Sequence, residues 1–431
     1  MEQAVLLKSV RVQDPDGPWH RQVVDVLLRL GQIADIAHDI QFPDARVCEA
    51  KGSWISAGWV DGQAHFREPG EETKEGLIQG LRAASQGGFS SVAVLPSTHP
   101  CVDHAAAVRN VLAAADRAHQ QGVPARALPL ACVTEQAQGK QLAEMHDLSE
   151  AGAVAFTDDA PQDRVGVLQR ALTYGEVHQK TIVDVPLDRE LNAGGLMHEG
   201  VVSTEMGLIG IPTEAETIRV TRDLDVLRYA GGRLHLSILT SAEGVELVRK
   251  AKQEGLPVTC GTTALHLAFC DEHLRGFLGT LRVRSPFRSS TDRDALRKAV
   301  LDGTIDMVVS DHRPEDLEHH DVEFMLNPEG VASLPSAFAL ALSGLTEASS
   351  LEGATEALVR AFTEGPRGVL SLKPHSIQTG TPCDLTWFHP SESHSPHVGT
   401  RGVNLPPLEE GLKGQILGVF QDNRHWIAGE A

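Results

Sequence analysis

Short apolar runs ending in polar turns recur through the middle of the chain. Eight of them read as buried strands: Trp54 to Gln63, Phe89 to Pro96, Ala125 to Val133, Gly152 to Asp158, Thr181 to Leu187, Arg233 to Thr240, Pro257 to Thr263 and Ile305 to Asp311. Between them lie stretches with apolar residues three and four apart, among them Lys74 to Gln86, Glu214 to Tyr229, Ala242 to Glu254 and Asp292 to Asp302. That spacing predicts amphipathic helices. Eight alternating strand and helix units predict an α/β fold of the (β/α)8 TIM-barrel type, with functional residues at the carboxyl ends of the strands.

The two ends of the chain follow a period of two instead. AVLLKSVRV and QVVDVLLRLGQIADIA flank DPDGPWHR near the start, and PCDLTWFHP and ILGVFQDNRHWIAGE lie near the end. Alternation broken by Asp-Pro-Asp-Gly predicts an antiparallel hairpin. The pattern therefore predicts a small β-domain formed by both termini, residues 1–53 plus 375–431, beside a barrel of residues 54–374.

One stretch concentrates chemistry. In SAGWVDGQAHFREPG, Ser56 to Gly70, an apolar run delivers Asp61, Gln63, His65, Arg67 and Glu68 to a barrel mouth. Side chains alternate along a strand, so Gln63 and His65 point the same way. With groups from later strands they could grip a metal ion.

Composition narrows the function classes. A net charge of -20 argues against a nucleic-acid partner. The six cysteines, Cys48, Cys101, Cys132, Cys260, Cys270 and Cys383, show no CxxC spacing and read as reduced, mostly core thiols. No apolar run of about 18 residues predicts a membrane span. The acidic residue at position 2 and the alternation after it read as a strand rather than a signal peptide, which makes a cytoplasmic protein the default.

GWVDGQAHFREPGEETKE followed by GGFSSVAVLPST resembles dihydroorotase, a zinc enzyme of the amidohydrolase superfamily that closes carbamoyl aspartate to dihydroorotate. The likeness continues through GAVAFTDDA, GLIGIPTEAE, GGRLHLSILTSA, KAKQEGLPVT, RSPFRSSTDRDALRKAV, VVSDHRPE and GTPCDL. The resemblance implies a site in which two zinc ions activate a bridging hydroxide, with an aspartate after the eighth strand as general base. That aspartate falls at Asp311. The family's His-x-His reads Gln63-Ala64-His65, the fifth-strand ligand histidine falls at Val185, and the sixth-strand one at Ile238, His235 matching an earlier non-ligand position. The remaining candidate metal ligands are His65, Asp158 and Asp311, with either Asp158 or Asp159 available from the fourth strand. Zinc prefers a tetrahedral set of nitrogen and sulfur donors, which an amide, a valine and an isoleucine do not supply.

The positions that the resemblance assigns to substrate have changed too. Arg67 remains and could pair with a carboxylate. Ser97 stands for an asparagine, Leu265-His266 for a His-His pair, Arg284 for an asparagine, and Asp311-His312-Arg313-Pro314-Glu315 for Asp-His-Ala-Pro-His. Substrate-facing candidates are thus Arg67, Ser97 and His266. Loss at both sets of positions reads as relaxed selection on catalysis.

Several of these groups carry plain structural readings. His65 could be a hydrogen-bonded histidine, Asp311 an acceptor for backbone N–H groups, and Arg67 with Glu68 an internal ion pair. His312, Glu315, His319, His320 and Asp321 form a second cluster, read as a solvated surface loop rather than a replacement metal site. Glu71, Glu72, Lys74 and Glu75 read as a charged first helical turn, and Gly87-Gly88 as a helix stop.

The resemblance implies a dihydroorotase-like protein of pyrimidine synthesis without catalytic activity and with no cofactor expected, an oligomer serving as a structural partner of aspartate carbamoyltransferase. The alternative is an active dihydroorotase or related cyclic amidohydrolase using zinc in a reduced site at His65, Asp158 and Asp311. A third reading is a metal-free sensor that binds the same ligands through Arg67.

Overall fold

Trp59–Ala64, Phe89–Val94, Arg126–Ala131, Ala155–Phe156, Ile182–Asp184, Leu234–Leu236, Val258–Thr263 and Met307–Val309 lie side by side in chain order. Every neighbouring pair is parallel. A parallel bridge between Ala64 and His312 closes the ring, with the His65 N–H donating to the His312 carbonyl at 2.8 Å. The computed structural model describes residues 4–393 and 399–429. Residues 1–3, 394–398 and 430–431, which the expected terminal β-domain includes, lie outside the described residues.

A second sheet gathers strands from both ends. Its order is Arg424–Ile427, Lys413–Gln421, Asp384–Ser393, Trp54–Ala57, Val5–Gln13, Val23–Arg29 and Gln32–Ala37, with Arg46–Glu49 also pairing with Val5–Gln13. The hairpin expected around Asp-Pro-Asp-Gly is present, because Val5–Gln13 and Val23–Arg29 pair antiparallel. The fold is therefore a (β/α)8 barrel with a separate sheet built from both termini.

The first predicted strand is in fact two. Trp54–Ala57 belongs to the terminal sheet and Trp59–Ala64 to the barrel, with the break at Gly58. The Gly58 N–H donates to the Asp384 carbonyl at 2.8 Å. A Cβ there would lie 1.9 Å from Asp384 Oδ1 and 2.2 Å from Ser90 Oγ, so any side chain where the chain crosses between sheets must displace both groups. Hydrophobicity is continuous across this point, which is why it read as one strand.

Trp59 anchors the junction. Its ring lies 4.7 Å from Phe338, 5.0 Å from Phe388 and 5.3 Å from Phe362, so barrel, helix and terminal sheet share one aromatic cluster. Around the barrel, helices start on capping residues: Ser241, Ser289 and Ser350 accept from the N–H groups of Gly244, Asp292 and Gly353. Gly87 and Gly88 close the first helix, as their spacing suggested.

That helix runs Leu77–Gln86, so the acidic turn ahead of it is not helical and the dipole reading of Glu71, Glu72, Lys74 and Glu75 is corrected. These residues instead make tertiary contacts. Glu75 is buried and accepts from Thr400 Oγ1 at 2.6 Å and the Arg401 N–H at 2.9 Å. Among the described residues, no helix is long and apolar enough to cross a membrane.

Candidate active site

The carboxyl ends of the barrel strands converge on a buried cluster of charges. Gln63 and His65 leave the first strand on the same side. Gln63 donates from Nε2 to Asp311 Oδ1 at 2.7 Å. His65 accepts the Arg67 N–H on Nδ1 at 3.1 Å, so its ring proton lies on Nε2 and is donated to the Ser97 carbonyl at 3.2 Å. Both ring nitrogens are thereby used. Burial, helped by the nearby charges of Arg313 and Arg67, lowers the His65 pKa to about 4, so the ring is neutral at physiological pH.

Arg313 occupies the centre. Its Nη atoms fork onto Asp159 at 2.9 and 2.7 Å, and its Nε donates to Asp311 Oδ1 at 3.0 Å. Arg284 joins from the segment after the seventh strand, donating to Asp159 Oδ1 at 2.7 Å and to the Asp159 carbonyl at 2.5 Å. Ser97 adds a hydroxyl donor to Asp159 Oδ2 at 2.6 Å. Burial opposes ionisation of Asp159, but Arg284 and Arg313 overcome it and hold the carboxyl well below the usual range. Burial likewise opposes the charge on Arg313, yet Asp159 and Asp311 hold its pKa above the ordinary value.

The fourth strand thus presents Asp159, not Asp158, to this cluster. Asp158 turns to the third strand, accepting the Thr134 N–H at 2.9 Å and the Thr134 hydroxyl at 2.6 Å. The chain turns beyond the fourth strand at Asp159, whose φ is 50°, and burial raises the Asp158 pKa against the opposing hydrogen bonds from Thr134. His65, Asp158 and Asp311 are therefore not drawn together as one ligand set. Among the described residues no group of three or more His, Cys, Asp or Glu could hold a metal ion.

Val185 and Ile238 are buried and apolar, Val185 packing with Leu187, Ile211 and Ala215. His235 pairs with Thr259 Oγ1 at 2.9 Å, and burial lowers its pKa to about 3. His266 is held through Nδ1 by Thr263 Oγ1 at 2.8 Å and through Nε2 by the Ser285 carbonyl at 3.0 Å. Both nitrogens of this substrate-facing candidate are occupied within the chain.

Arg67 is committed as well. It donates to Glu315 Oε1 at 2.5 Å, Glu71 Oε2 at 3.3 Å and the Pro314 carbonyl at 3.1 Å. Lys74 completes a four-residue network with Glu71 at 2.6 Å and Glu315 at 2.8 Å. The expected Arg67–Glu68 pair is not formed, because Glu68 accepts the Leu77 N–H at 2.7 Å. The second histidine cluster also comes apart. His312 and Glu315 are buried, while His319 pairs with Asp316 and His320 with Asn327. The solvated reading of two members is corrected: a bridge to the first strand draws His312 into the wall, and Arg67 and Lys74 hold Glu315.

A zinc ion does not fit this donor set. A guanidinium lies where a cation would have to sit between Asp159 and Asp311, His65 has no free lone pair, and Gln63, Val185 and Ile238 supply no ligand. Three departures from the family pattern form ion pairs that were not expected from the sequence: Arg284 and Arg313 with Asp159, and Glu315 with Arg67. The signal was available, since each departure introduces a charge.

The chain matches the family model described as Dihydro-orotase-like over residues 52–244. It is 37% identical to the dihydroorotase of Syntrophus aciditrophicus (strain SB) over 430 residues, covering 97% of this chain and 98% of that one. It is 38% identical to the dihydroorotase of Thermus aquaticus over 395 residues, 90% of each. Among solved structures, the L-hydantoinase (dihydropyrimidinase) of Arthrobacter aurescens superposes with a TM-score of 0.80 at 19% identity, covering 98% of this chain and 96% of that one, a likeness of fold. The chain belongs to the dihydroorotase family of the amidohydrolase superfamily.

Proposed function

We propose that this chain is a dihydroorotase-like protein of de novo pyrimidine biosynthesis that lacks dihydroorotase activity and acts as a structural partner of aspartate carbamoyltransferase in a cytoplasmic, oligomeric assembly. The observation that carries the inactive reading is Arg313, held at hydrogen-bond distance from both Asp159 and Asp311. A permanently charged guanidinium there repels a second cation and satisfies the carboxylates that a metal would need. Asp311, the aspartate at the general-base position, accepts from Gln63 and Arg313. Two donors converge on the same Asp311 oxygen, Oδ1, so that oxygen is already engaged within the chain rather than free to take a proton from a substrate.

The partner reading rests on the family resemblance: a barrel that keeps its fold and its terminal sheet while its site is rebuilt with ion pairs retains its surface and loses its chemistry. An active enzyme with a reduced metal site would need His65, Asp158 and Asp311 on one ion, and their present hydrogen bonds face three different ways. A sensor reading would require Arg67 to exchange Glu315 and Glu71 for a ligand.

The test is to mix the purified chain with the aspartate carbamoyltransferase of the same organism and measure mass by light scattering, alongside dihydroorotate hydrolysis with added zinc. A stable complex with no hydrolysis supports the proposal. Hydrolysis by the chain alone sinks the inactive reading, and two separate species sink the partner reading.

A further inference from the structure

Two cysteines far apart in sequence meet at the rim of the barrel. The Cys132 N–H, just past the third strand, donates to the Val102 carbonyl at 2.8 Å, and the Val102 N–H donates to the Pro96 carbonyl at 3.0 Å. This pairing lays the 96–102 segment against the end of the third strand. The Cys101 and Cys132 thiols lie close enough to influence one another's titration. Cys132 is fully buried, whereas Cys101 is partly exposed and lines an open cavity of about 570 Å³ with Ser97, His99, Asp103 and Gln136. One thiol is reachable from solvent and the second waits behind it.

We propose that Cys101 and Cys132 form a redox-modifiable dithiol that a hydroperoxide converts to a disulfide. The Cys101 thiolate attacks the distal peroxide oxygen, so that an S–O bond forms as the O–O bond breaks and an alcohol, or water from hydrogen peroxide, departs. The Cys132 thiol then attacks the oxidised Cys101 sulfur. The S–S bond forms, the sulfenic hydroxyl leaves as water, and both thiol protons end in the two products. The neighbouring Cys132 thiol holds the Cys101 thiol below the ordinary thiol range, against the opposing effects of burial and Asp103, which favours the attacking species on the exposed sulfur.

The linkage has a structural consequence. Ser97 lies on the same rim segment and touches both halves of the charge cluster, its hydroxyl on Asp159 and its carbonyl on His65. A disulfide from Cys101 to Cys132 staples that segment to the barrel wall.

The experiment treats the native full-length chain with hydrogen peroxide, alkylates the surviving thiols after unfolding, and maps the peptides by mass spectrometry. The expected result is a cross-linked Cys101–Cys132 peptide, a loss of about 2 Da per chain for the two thiol hydrogens, and full reversal by dithiothreitol. The other four cysteines stay alkylatable, and the melting midpoint of the oxidised chain rises by about 2–4 °C. In Cys101→Ser the cross-link is absent and Cys132 remains a free thiol. The proposal is overturned if Cys101 gains oxygen atoms without a cross-link, if the disulfide joins another pair, or if both thiols survive. The wild-type peptide map decides this whether or not the variant folds.

Discussion

Arg313 forks onto both carboxylate oxygens of Asp159, at 2.9 and 2.7 Å, at the carboxyl end of the barrel. The pair links the fourth strand to the eighth, and through Asp311 and Gln63 the network reaches the first. The ends of the first, fourth and eighth strands are thus tied together by a cation that the chain itself supplies.

Removing Arg313 should be costly. Arg313→Met leaves Asp311 and Asp159 buried with fewer donors, and breaking a buried pair from one side costs about 3–5 kcal/mol. Arg284 still faces Asp159, which places the expected loss at the lower end, about 3 kcal/mol. Adding Asp159→Asn to Arg313→Met should recover part of the loss. Urea unfolding of wild type, both single variants and the double variant measures this. Additive costs would show that the two residues are not coupled.

His65 gives a pH prediction with a definite sign. Its folded pKa of about 4 lies below the unfolded value of about 6.5, so the unfolded chain binds the extra proton between these values. Stability from burying the neutral ring is complete above about pH 6.5 and is lost as pH falls toward 4. Unfolding free energy in wild type should therefore fall more steeply over that window than in His65→Gln. Parallel curves would mean that His65 titrates normally in the fold.

Gly58 marks the passage from terminal sheet to barrel. Gly58→Ala would push a methyl group into Asp384 and Ser90, which already hydrogen-bond each other at 2.6 Å. A loss of about 1–3 kcal/mol is expected, seen as a lower melting midpoint. An unchanged midpoint would show that the two sheets shift freely at this junction.

The barrel was legible because eight apolar runs of strand length alternate with helical spacing, and the terminal sheet because its strands alternate with a period of two. Gly58 was not, since a close approach leaves no trace in hydrophobicity. At the site, Gln63, Val185 and Ile238 stand out in the sequence because each is a single position in a known pattern. Asp159 and Arg313 do not, because which of two adjacent aspartates faces inward depends on strand register. The partnership of residues 154 positions apart likewise appears only once the barrel is closed.

Rebuilding the metal site should fail until the cations are removed. Gln63→His, Val185→His and Ile238→His together restore imidazoles but leave Arg313 and Arg284 in place, and zinc per chain should stay far below one. Adding Arg313→Ala and Arg284→Asn should raise it. Stoichiometric zinc in the triple variant alone, read by elemental analysis, would show that the guanidinium groups do not exclude a metal.

The most direct measurement is zinc per chain on freshly purified wild-type protein, paired with dihydroorotate hydrolysis in the presence and absence of added zinc. With Arg313 seated between Asp159 and Asp311, zinc should be well below one per chain and hydrolysis at background in both conditions. Near-stoichiometric zinc with turnover would contradict this, and would require Arg313 to leave both carboxylates when the metal binds.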